Sequence, residues 1–411
     1  MGYNHASMSH AAGGGKGGTR SSVLDHRFGA GPPLTVGVEE EYMLVDPESW
    51  DLVSGVEPLL EKAADSEFAD RLKPELMQCV LESGTVVCED VPAAEADLRH
   101  IRAYVAEHAR AEGMRLLASG THPFSLYEHQ KITARDRYRA LVEMLQYVAR
   151  RELVFGMHVH VAVPTPEACL AVMEGVLIEL PVLLALSANS PFWRGERTGL
   201  ASTRAMIFAA FPRSGLPPRF ESYADYANAV GFMEATGAIS DYTHLWWDVR
   251  PHPRFGTLEV RVMDCQTRVE DTIALAAMMQ AVIFKLHKLL RQNTSFRIYR
   301  RRVIDENRWR ASRYGLDGKL IDFGRKCEVE TRSLIHEILE FISAEVDELG
   351  SLREIGHIER ILRGGTGADR QLAVWERTQD MKAVVDQIVA ETNEGLGLNE
   401  ASSVSEASAV T

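Results

Sequence analysis

The run from Thr35 to Val45 is apolar or β-branched at both ends and carries Glu39, Glu40 and Glu41 in its middle. Its composition predicts a strand. Side chains alternate along a strand, so Glu39 and Glu41 share a face with Gly37 and Met43, while Glu40 points the other way. Downstream, Asp46-Pro47-Glu48-Ser49 reads as a turn and Leu52-Val53 as a hairpin return. A short helix is expected over 58–68, then a strand over 74–80 running on through Leu81-Glu82 to Val87-Cys88. Helical spacing follows over 89–112, with acids in its first turn where the helix dipole favours them. Strands are predicted over 114–119, 153–163, 243–249 and 257–263, the last two joined by a turn from Arg250 to Gly256. Helices are predicted over 134–151, 166–186, 202–209, 223–235 and 271–290, and 331–392 is mostly helical.

Strands occupy the first two thirds and helices close the chain. This order predicts an α+β fold with a mainly antiparallel sheet flanked by helices. Nothing divides 34–392, which is expected to be a single catalytic domain. The Gly/Ser/His-rich segment 1–33 and the Ser/Ala/Glu-rich tail 393–411 are expected to be disordered. Gly13-Gly14-Gly15-Lys16-Gly17-Gly18-Thr19 looks superficially like a phosphate loop, but no strand precedes it and no helical pattern follows.

A formal charge of -13 argues against nucleic acid as a partner, because phosphate contacts need a basic surface. Any anionic ligand must then be met locally by arginines or metal ions. The five cysteines are scattered and form no C-x-x-C pair, which points to free thiols and a cytoplasmic location. The most apolar stretch, 168–188, contains Glu174, Glu179 and Pro181 and reads as a buried helix pair, so no membrane is expected.

Ionisable residues recur on strands in pairs that share a face. Two acids side by side need a cation, arginines or open solvent, since a buried carboxylate is costly unless paired; charges that protect an edge strand are the alternative. His158 and His160 share a face, as metal ligands or as hydrogen-bonded core histidines. Glu259 and Arg261 share another, as an ion pair or an anion site, and Asp248 and Arg250 repeat that pattern. Glu75 and Glu82, seven residues apart, reach one site only if a bulge or bend intervenes. Carboxylates with an occasional histidine suit Mg²⁺ or Mn²⁺. A sheet face so loaded becomes positive and can clamp phosphates. Arginines would complete the charge balance: Arg194, Arg197, Arg204, Arg250, Arg261, Arg308, Arg310 and Arg313 are candidates, with a solvated surface role as the alternative for each loop arginine.

The ordered motifs resemble a known family. They are Gly37-Val38-Glu39-Glu40-Glu41, Glu75-Leu76-Met77-Gln78, His122-Pro123-Phe124, Met157-His158-Val159-His160-Val161 and Leu183-Leu184-Ala185-Leu186-Ser187. Ser190-Pro191-Phe192-Trp193, Thr198-Gly199-Leu200-Ala201-Ser202, the run from Trp246 to Thr257 and the run from Arg310 to Asp317 complete the set. Over 34–392 the chain resembles the YbdK-type carboxylate-amine ligases of the glutamate–cysteine ligase 2 family. The resemblance implies the glutamine synthetase/guanidino kinase catalytic fold, and ATP-dependent amide formation through an acyl phosphate with weak glutamate–cysteine ligase activity. It implies Glu39, Glu41, Glu75, Glu82, His158 and Glu259 as metal ligands and Arg261 facing the transferred phosphate. His160 is implied to support the ligands or touch substrate, and Arg250 to contact a carboxylate or phosphate. Arg310 and Arg313 are further candidates for ATP, and Arg204 for substrate.

Three other activities fit the same residues: a guanidino-kinase-like phosphotransferase, a metal-dependent amidohydrolase, and a non-catalytic nucleotide sensor. The amidohydrolase needs no ATP and is usually built on a parallel barrel, which hairpins and a helical C-terminal third do not match. The expected partners are amino-acid carboxylate and amine substrates, and a homo-oligomer is compatible with the sequence.

Overall fold

The computed structural model describes residues 21–295 and 297–398. The disorder expected for 1–20 and 399–411 lies outside the described residues.

Seven strands form one antiparallel sheet: β1 (Val36–Val45), β2 (Leu72–Pro74), β3 (Val80–Gly84), β4 (Arg115–Leu117), β5 (Met157–Ala162), β6 (Val249–His252) and β7 (Thr257–Val260). Their order is β2-β3-β1-β5-β7-β6, with β4 paired to the far end of β1. Two long helices, α1 (Val91–Ala111) and α2 (Val269–Arg291), pack against one face of β1 and β5. The other face is open and lines a cleft. An antiparallel sheet covered on one side allows this division of labour between its faces.

Helix α1 begins where Asp90 accepts a hydrogen bond from the Ala93 N–H and Pro92 occupies the first turn. Both features satisfy or remove donors that a helix start leaves unpaired. Helix α2 is long and apolar enough to cross a membrane, yet 67% of its most apolar window is buried in the protein, which accounts for that composition. Six further helices lie between Thr331 and Asn393 among the described residues. They are tied to α2 where Asp271 meets His357 at 2.8 Å and Arg370 at 2.9 Å.

The registration of β1 is fixed from the covered side. Glu40 is fully buried and accepts from Arg102 Nε at 2.8 Å and Arg102 Nη2 at 2.6 Å. Tyr42 Oη and Thr272 Oγ1, each at 2.6 Å, donate to the same carboxylate. Arg102, itself fully buried, also donates to the carbonyls of Thr267 and Gln266, each at 2.7 Å. One carboxylate therefore joins β1 to α1, to α2 and to the loop leading into α2.

Several sequence expectations shift. The single strand expected over 74–88 is broken at 75–79 into the hairpin β2–β3. The helix expected over 134–151 breaks at Gln146, which has φ 50°, into Asp136–Leu145 and Tyr147–Arg150. The helix expected over 166–186 bends by 64° between Pro166–Val176 and Leu180–Leu186, in keeping with the buried helix pair. The strand expected over 243–249 is corrected to β6 at Val249–His252, which absorbs Arg250, Pro251 and His252 of the expected turn. A helix at Arg301–Tyr314 and a hairpin formed by Lys319–Asp322 and Cys327–Glu330 had no counterpart in the sequence pattern. The 1–33 boundary also moves. Residues 21–33 pack on the domain, with Val23 buried, its carbonyl receiving Tyr223 Oη at 2.7 Å, and Arg27 N–H donating to the Pro253 carbonyl at 2.9 Å.

Replacing Glu40 by Gln leaves the buried Arg102 guanidinium without its counter-charge. Urea unfolding should then show a loss of about 3–5 kcal/mol relative to the native chain. A loss within experimental error would mean that this pair does not hold β1.

Candidate active site

The open face of β1, β3, β5 and β7 gathers the acids. Register places Glu39 opposite His158, Glu41 opposite Glu82, and His160 opposite Glu259. Because β2 and β3 form a hairpin, Glu75 returns to the same cleft as Glu82, fulfilling the condition that a bend must intervene. Glu39, Glu41, Glu75, Glu82, His158 and Glu259 all line one cleft of about 590 Å³, together with Arg204, Arg250 and Arg261.

The acids fall into two groups. In the first, one ligand atom each from Glu39, His160 and Glu259 lies within 4.8 Å of the others. His160 Nδ1 is engaged with Thr257 Oγ1 at 3.0 Å, while its Nε2 is buried, has no hydrogen-bond partner, and lies 3.6 Å from Glu39 Oε2. His158 Nδ1 lies 3.1 Å from Glu39 Oε2 and 3.3 Å from Arg261 Nη1. The sequence reading gives His158 as the ligand and His160 as its support; here His160 is the histidine that presents a free nitrogen to the carboxylates, with His158 beside Glu39. Glu259 is gripped by Arg250, whose Nε donates at 2.7 Å and Nη2 at 3.2 Å, and by Arg261 Nη1.

The second group is Glu41, Glu75 and Glu82. Glu41 accepts from the Gly156 N–H at 2.5 Å, Glu75 from the Leu76 N–H at 3.0 Å, and Glu82 meets Lys73 Nζ at 3.1 Å.

The electrostatics of the groups differ. Burial raises the Glu75 carboxyl to about 8, helped by the charges of Glu82 and Glu41. Burial likewise raises Glu82 to about 7, with Glu39 adding and Lys73 opposing. Burial also acts to raise Glu39, but His160 and His158 outweigh it and hold that carboxyl well below its ordinary range. At Glu259 burial is overcome by Arg250 and Arg261. So one group is internally neutralised by bases, and the other is a set of carboxylates that repel one another.

These donors fit divalent ions. An oxygen-rich set with one imidazole suits Mg²⁺ or Mn²⁺. The partnerless His160 Nε2 and the mutually repelling Glu41, Glu75 and Glu82 are the features a cation would relieve.

Other candidates lie elsewhere. Arg310 pairs with Glu306 at 2.9 Å and Glu328 at 2.6 Å, and Arg313 donates to the Gly199 carbonyl; neither lines the cleft, which corrects their expected role at ATP. Arg308 is held by Asp248 at 2.6 Å, so Asp248 faces Arg308 rather than pairing with Arg250. Arg194 pairs with Glu128 and Arg197 with Glu376. The sequence reading missed Glu152, Arg137, Tyr138, His252 and Arg254, which also line the cleft. Arg137 and Tyr138 sit in a run with helical spacing, where no periodic signal sets them apart from a solvated face.

A second chamber of about 610 Å³ adjoins the cleft, sharing Glu39, Lys73, Arg254 and Phe255, and has His160 in its wall. Its remaining walls include Gly29 to Pro33 and Val86 and Val87, so it is predominantly apolar.

Without divalent ions, the Glu75 and Glu82 side chains should release their protons at about pH 8 and 7, followed by carboxyl ¹³C NMR. Adding Mg²⁺ should move both transitions to lower pH, because a nearby cation favours the charged form. Transitions indifferent to Mg²⁺ would remove these residues from a metal site.

The comparisons with known proteins bear on family and fold. The model of glutamate–cysteine ligase family 2 matches residues 35–389. A relative from Sorangium cellulosum, named "Putative glutamate--cysteine ligase 2", is 49% identical over 375 residues, covering 91% of this chain and 98% of its own. One of the same name from Herpetosiphon aurantiacus is 45% identical over 372 residues, covering 90% and 96%. Among solved structures, the glutamate–cysteine ligase of Francisella tularensis in complex with AMP superposes with a TM-score of 0.64 at 12% identity, covering 89% of this chain and 90% of that one. A bifunctional glutathione synthetase from Pasteurella multocida gives 0.63 at 14%, covering 88% and 53%. At such identities these two likenesses establish the fold, a mainly antiparallel sheet flanked by helices as the sequence predicts. The chain belongs to glutamate–cysteine ligase family 2 and is an ATP-dependent carboxylate–amine ligase.

Proposed function

We propose that this chain joins the side-chain carboxylate of glutamate to the amine of cysteine, or of a similar amino acid, in the cytoplasm, with Mg²⁺ or Mn²⁺ as its metal. The substrate pair rests on the names its relatives carry. The observation that carries the reading is the sheet face on which Glu39, His160 and Glu259 converge beside Glu41, Glu75 and Glu82.

Those two groups would hold the ions, with His158 beside them, and the ions would supply the positive charge that lets a carboxylate-lined face accept a triphosphate. The adjoining apolar chamber gives the nucleoside of ATP a place on the other side of Glu39 and His160. Arg250 and Arg261 both hold Glu259, and Arg261 Nε has no hydrogen-bond partner, so this guanidinium keeps a donor for a phosphate oxygen.

The reaction has two steps. A substrate carboxylate oxygen attacks the γ-phosphorus of ATP, the bond to the β-phosphate oxygen breaks, and ADP departs. The amine then attacks the carbonyl carbon of the acyl phosphate, phosphate leaves with the bonding electrons, and the attacking nitrogen loses a proton. Arg261 steadies the charge spread over the transferred phosphoryl group, while the cleft aligns the reactants. Positioning and fixed charge supply the catalysis, and no covalent enzyme intermediate is needed.

The test is ADP release by the full chain with Mg²⁺ or Mn²⁺ and a panel of amino acids and amines. Release should require both a carboxylate and an amine and yield free phosphate; a stable phosphorylated nitrogen product would indicate the guanidino kinase instead. Arg261→Lys should lower turnover about 10²–10³-fold, since the planar fork of donors is lost. Full activity in that variant would contradict its role at phosphate.

A further inference from the structure

Residues 21–33 lie outside the span 35–389 that matches glutamate–cysteine ligase family 2, yet they are fastened to the domain at both ends. At the first end Val23 and Phe28 are buried, and His26, Phe28 and Tyr223 pack with ring centroids 5.4, 5.6 and 5.9 Å apart. Ser22 N–H donates to the Glu234 carboxylate at 3.2 Å, and Ser22 Oγ bonds the same group. Tyr223 and Glu234 both belong to the helix Tyr223–Ala235. At the other end Leu34 N–H donates to the Ala162 carbonyl at 2.9 Å, where β5 finishes. The segment is therefore a strap.

Between its fastenings the strap crosses the turn that joins β6 to β7. Arg27 N–H donates to the Pro253 carbonyl at 2.9 Å, and a Cβ built on Gly256 would fall 2.5 Å from the Arg27 carbonyl oxygen. Gly29, at φ 74°, approaches Pro164 as closely: a Cβ there would fall 2.5 Å from the carbonyl oxygen. The clamped turn carries Phe255, whose ring stacks on His252 at 4.2 Å and 14°. Phe255 is 51% exposed and fronts the second chamber, of which Gly29 to Pro33 form another wall. Pro32 and Pro33 have no N–H to leave unpaired against an apolar ligand, and their fixed φ leaves little freedom to lose on binding. The same walls hold cations. Arg71 is taken by Asp97 at 2.6 Å and Lys73 by Glu82 at 3.1 Å, whereas the guanidinium groups of Arg27 and Arg254 make no ion pair or hydrogen bond among the described residues.

We propose that the strap is a nucleotide-binding element: Arg27, with Arg254, meets the phosphates on the ribose side, and Gly29 to Pro33 cover the nucleoside against Phe255. The proposal rests on the reading that this chamber receives the nucleoside of ATP. It adds that a segment beyond the span matched to the family holds the nucleotide there. The strap also links the nucleotide to the reacting centre. The turn it clamps runs directly into Thr257, which engages His160, and on to Glu259, which is held by Arg250 and Arg261. Fixing the turn fixes where β7 presents its acid and where the phosphate arginine follows.

The test is hydrogen exchange of the full chain with and without Mg²⁺ and a non-hydrolysable ATP analogue, joined to calorimetric binding of that analogue and of inorganic tripolyphosphate. The analogue should slow amide exchange at 27–31 and at 255–256. Arg27→Gln should weaken both ligands about tenfold, because a charge-assisted hydrogen bond is lost. Pro32→Gly combined with Pro33→Gly should weaken the analogue about fivefold and leave tripolyphosphate as it was, because only the wall against the nucleoside is loosened. Thermal unfolding without nucleotide reports whether each variant folds; if one does not, exchange in the native chain decides. Slowed exchange at 84–87 and 255–256 with 27–31 unchanged would overturn the strap and keep ATP in the chamber, as would native affinity in both variants. A nucleotide that protects no wall of the chamber would overturn the placement of ATP and the strap with it.

Discussion

The buried carboxylate of Glu40, shared by Arg102, Tyr42 and Thr272, is the constraint from which the active face follows. A strand shifted by one residue turns every side chain to the opposite face. With Glu40 locked inward between α1 and α2, Glu39 and Glu41 have only the open face left. That face is set in the same way on β5, where Met157, Val159 and Val161 are fully buried, so that His158 lines the cleft and His160 the adjoining chamber. The covered side of the sheet thus decides where the chemistry on its other side is presented.

The open face carries charge that is partly settled within the protein and partly not. Glu259 and Glu39 are held ionised by arginines and histidines, while Glu75 and Glu82 are pushed upward by burial and by each other. A cleft whose acids were all satisfied by bases would have nothing to offer a cation. One whose acids were all unsatisfied would resist folding. The mixture leaves a preformed site that a divalent ion can enter with the ligands already aligned, the arrangement from which electrostatic catalysis draws its strength.

The sequence made the acidic strand legible because three carboxylates inside a β-branched run contradict the local preference, and such contradictions mark function. The period of two separated Glu40 from its neighbours, and H-x-H and Glu-x-Arg obeyed the same logic. The apolar run Leu76 to Leu81 hid the break between β2 and β3, because the turn contains no glycine or proline. In β6 the string Arg-Pro-His-Pro looks like a turn, yet Pro251 is tolerated on an edge strand where its missing N–H is not needed. The helix at Arg301–Tyr314 buries Ile304, Asn307, Ala311 and Ser312, so its inward stripe is mostly polar or small and gives no apolar periodicity. Glu152 was hard to read for another reason: it stands alone in sequence, and only the fold brings it into the cleft.

The central claim is that acids on one sheet face hold cations which in turn grip a triphosphate. A crystal of the full chain grown with Mn²⁺ and a non-hydrolysable ATP analogue, with the manganese located by anomalous scattering, addresses it directly. The account predicts manganese at Glu39, His160 and Glu259 and again among Glu41, Glu75 and Glu82, with the phosphates reaching toward Arg261. Nucleotide bound away from this face, or manganese absent from both groups while the analogue is present, would contradict it.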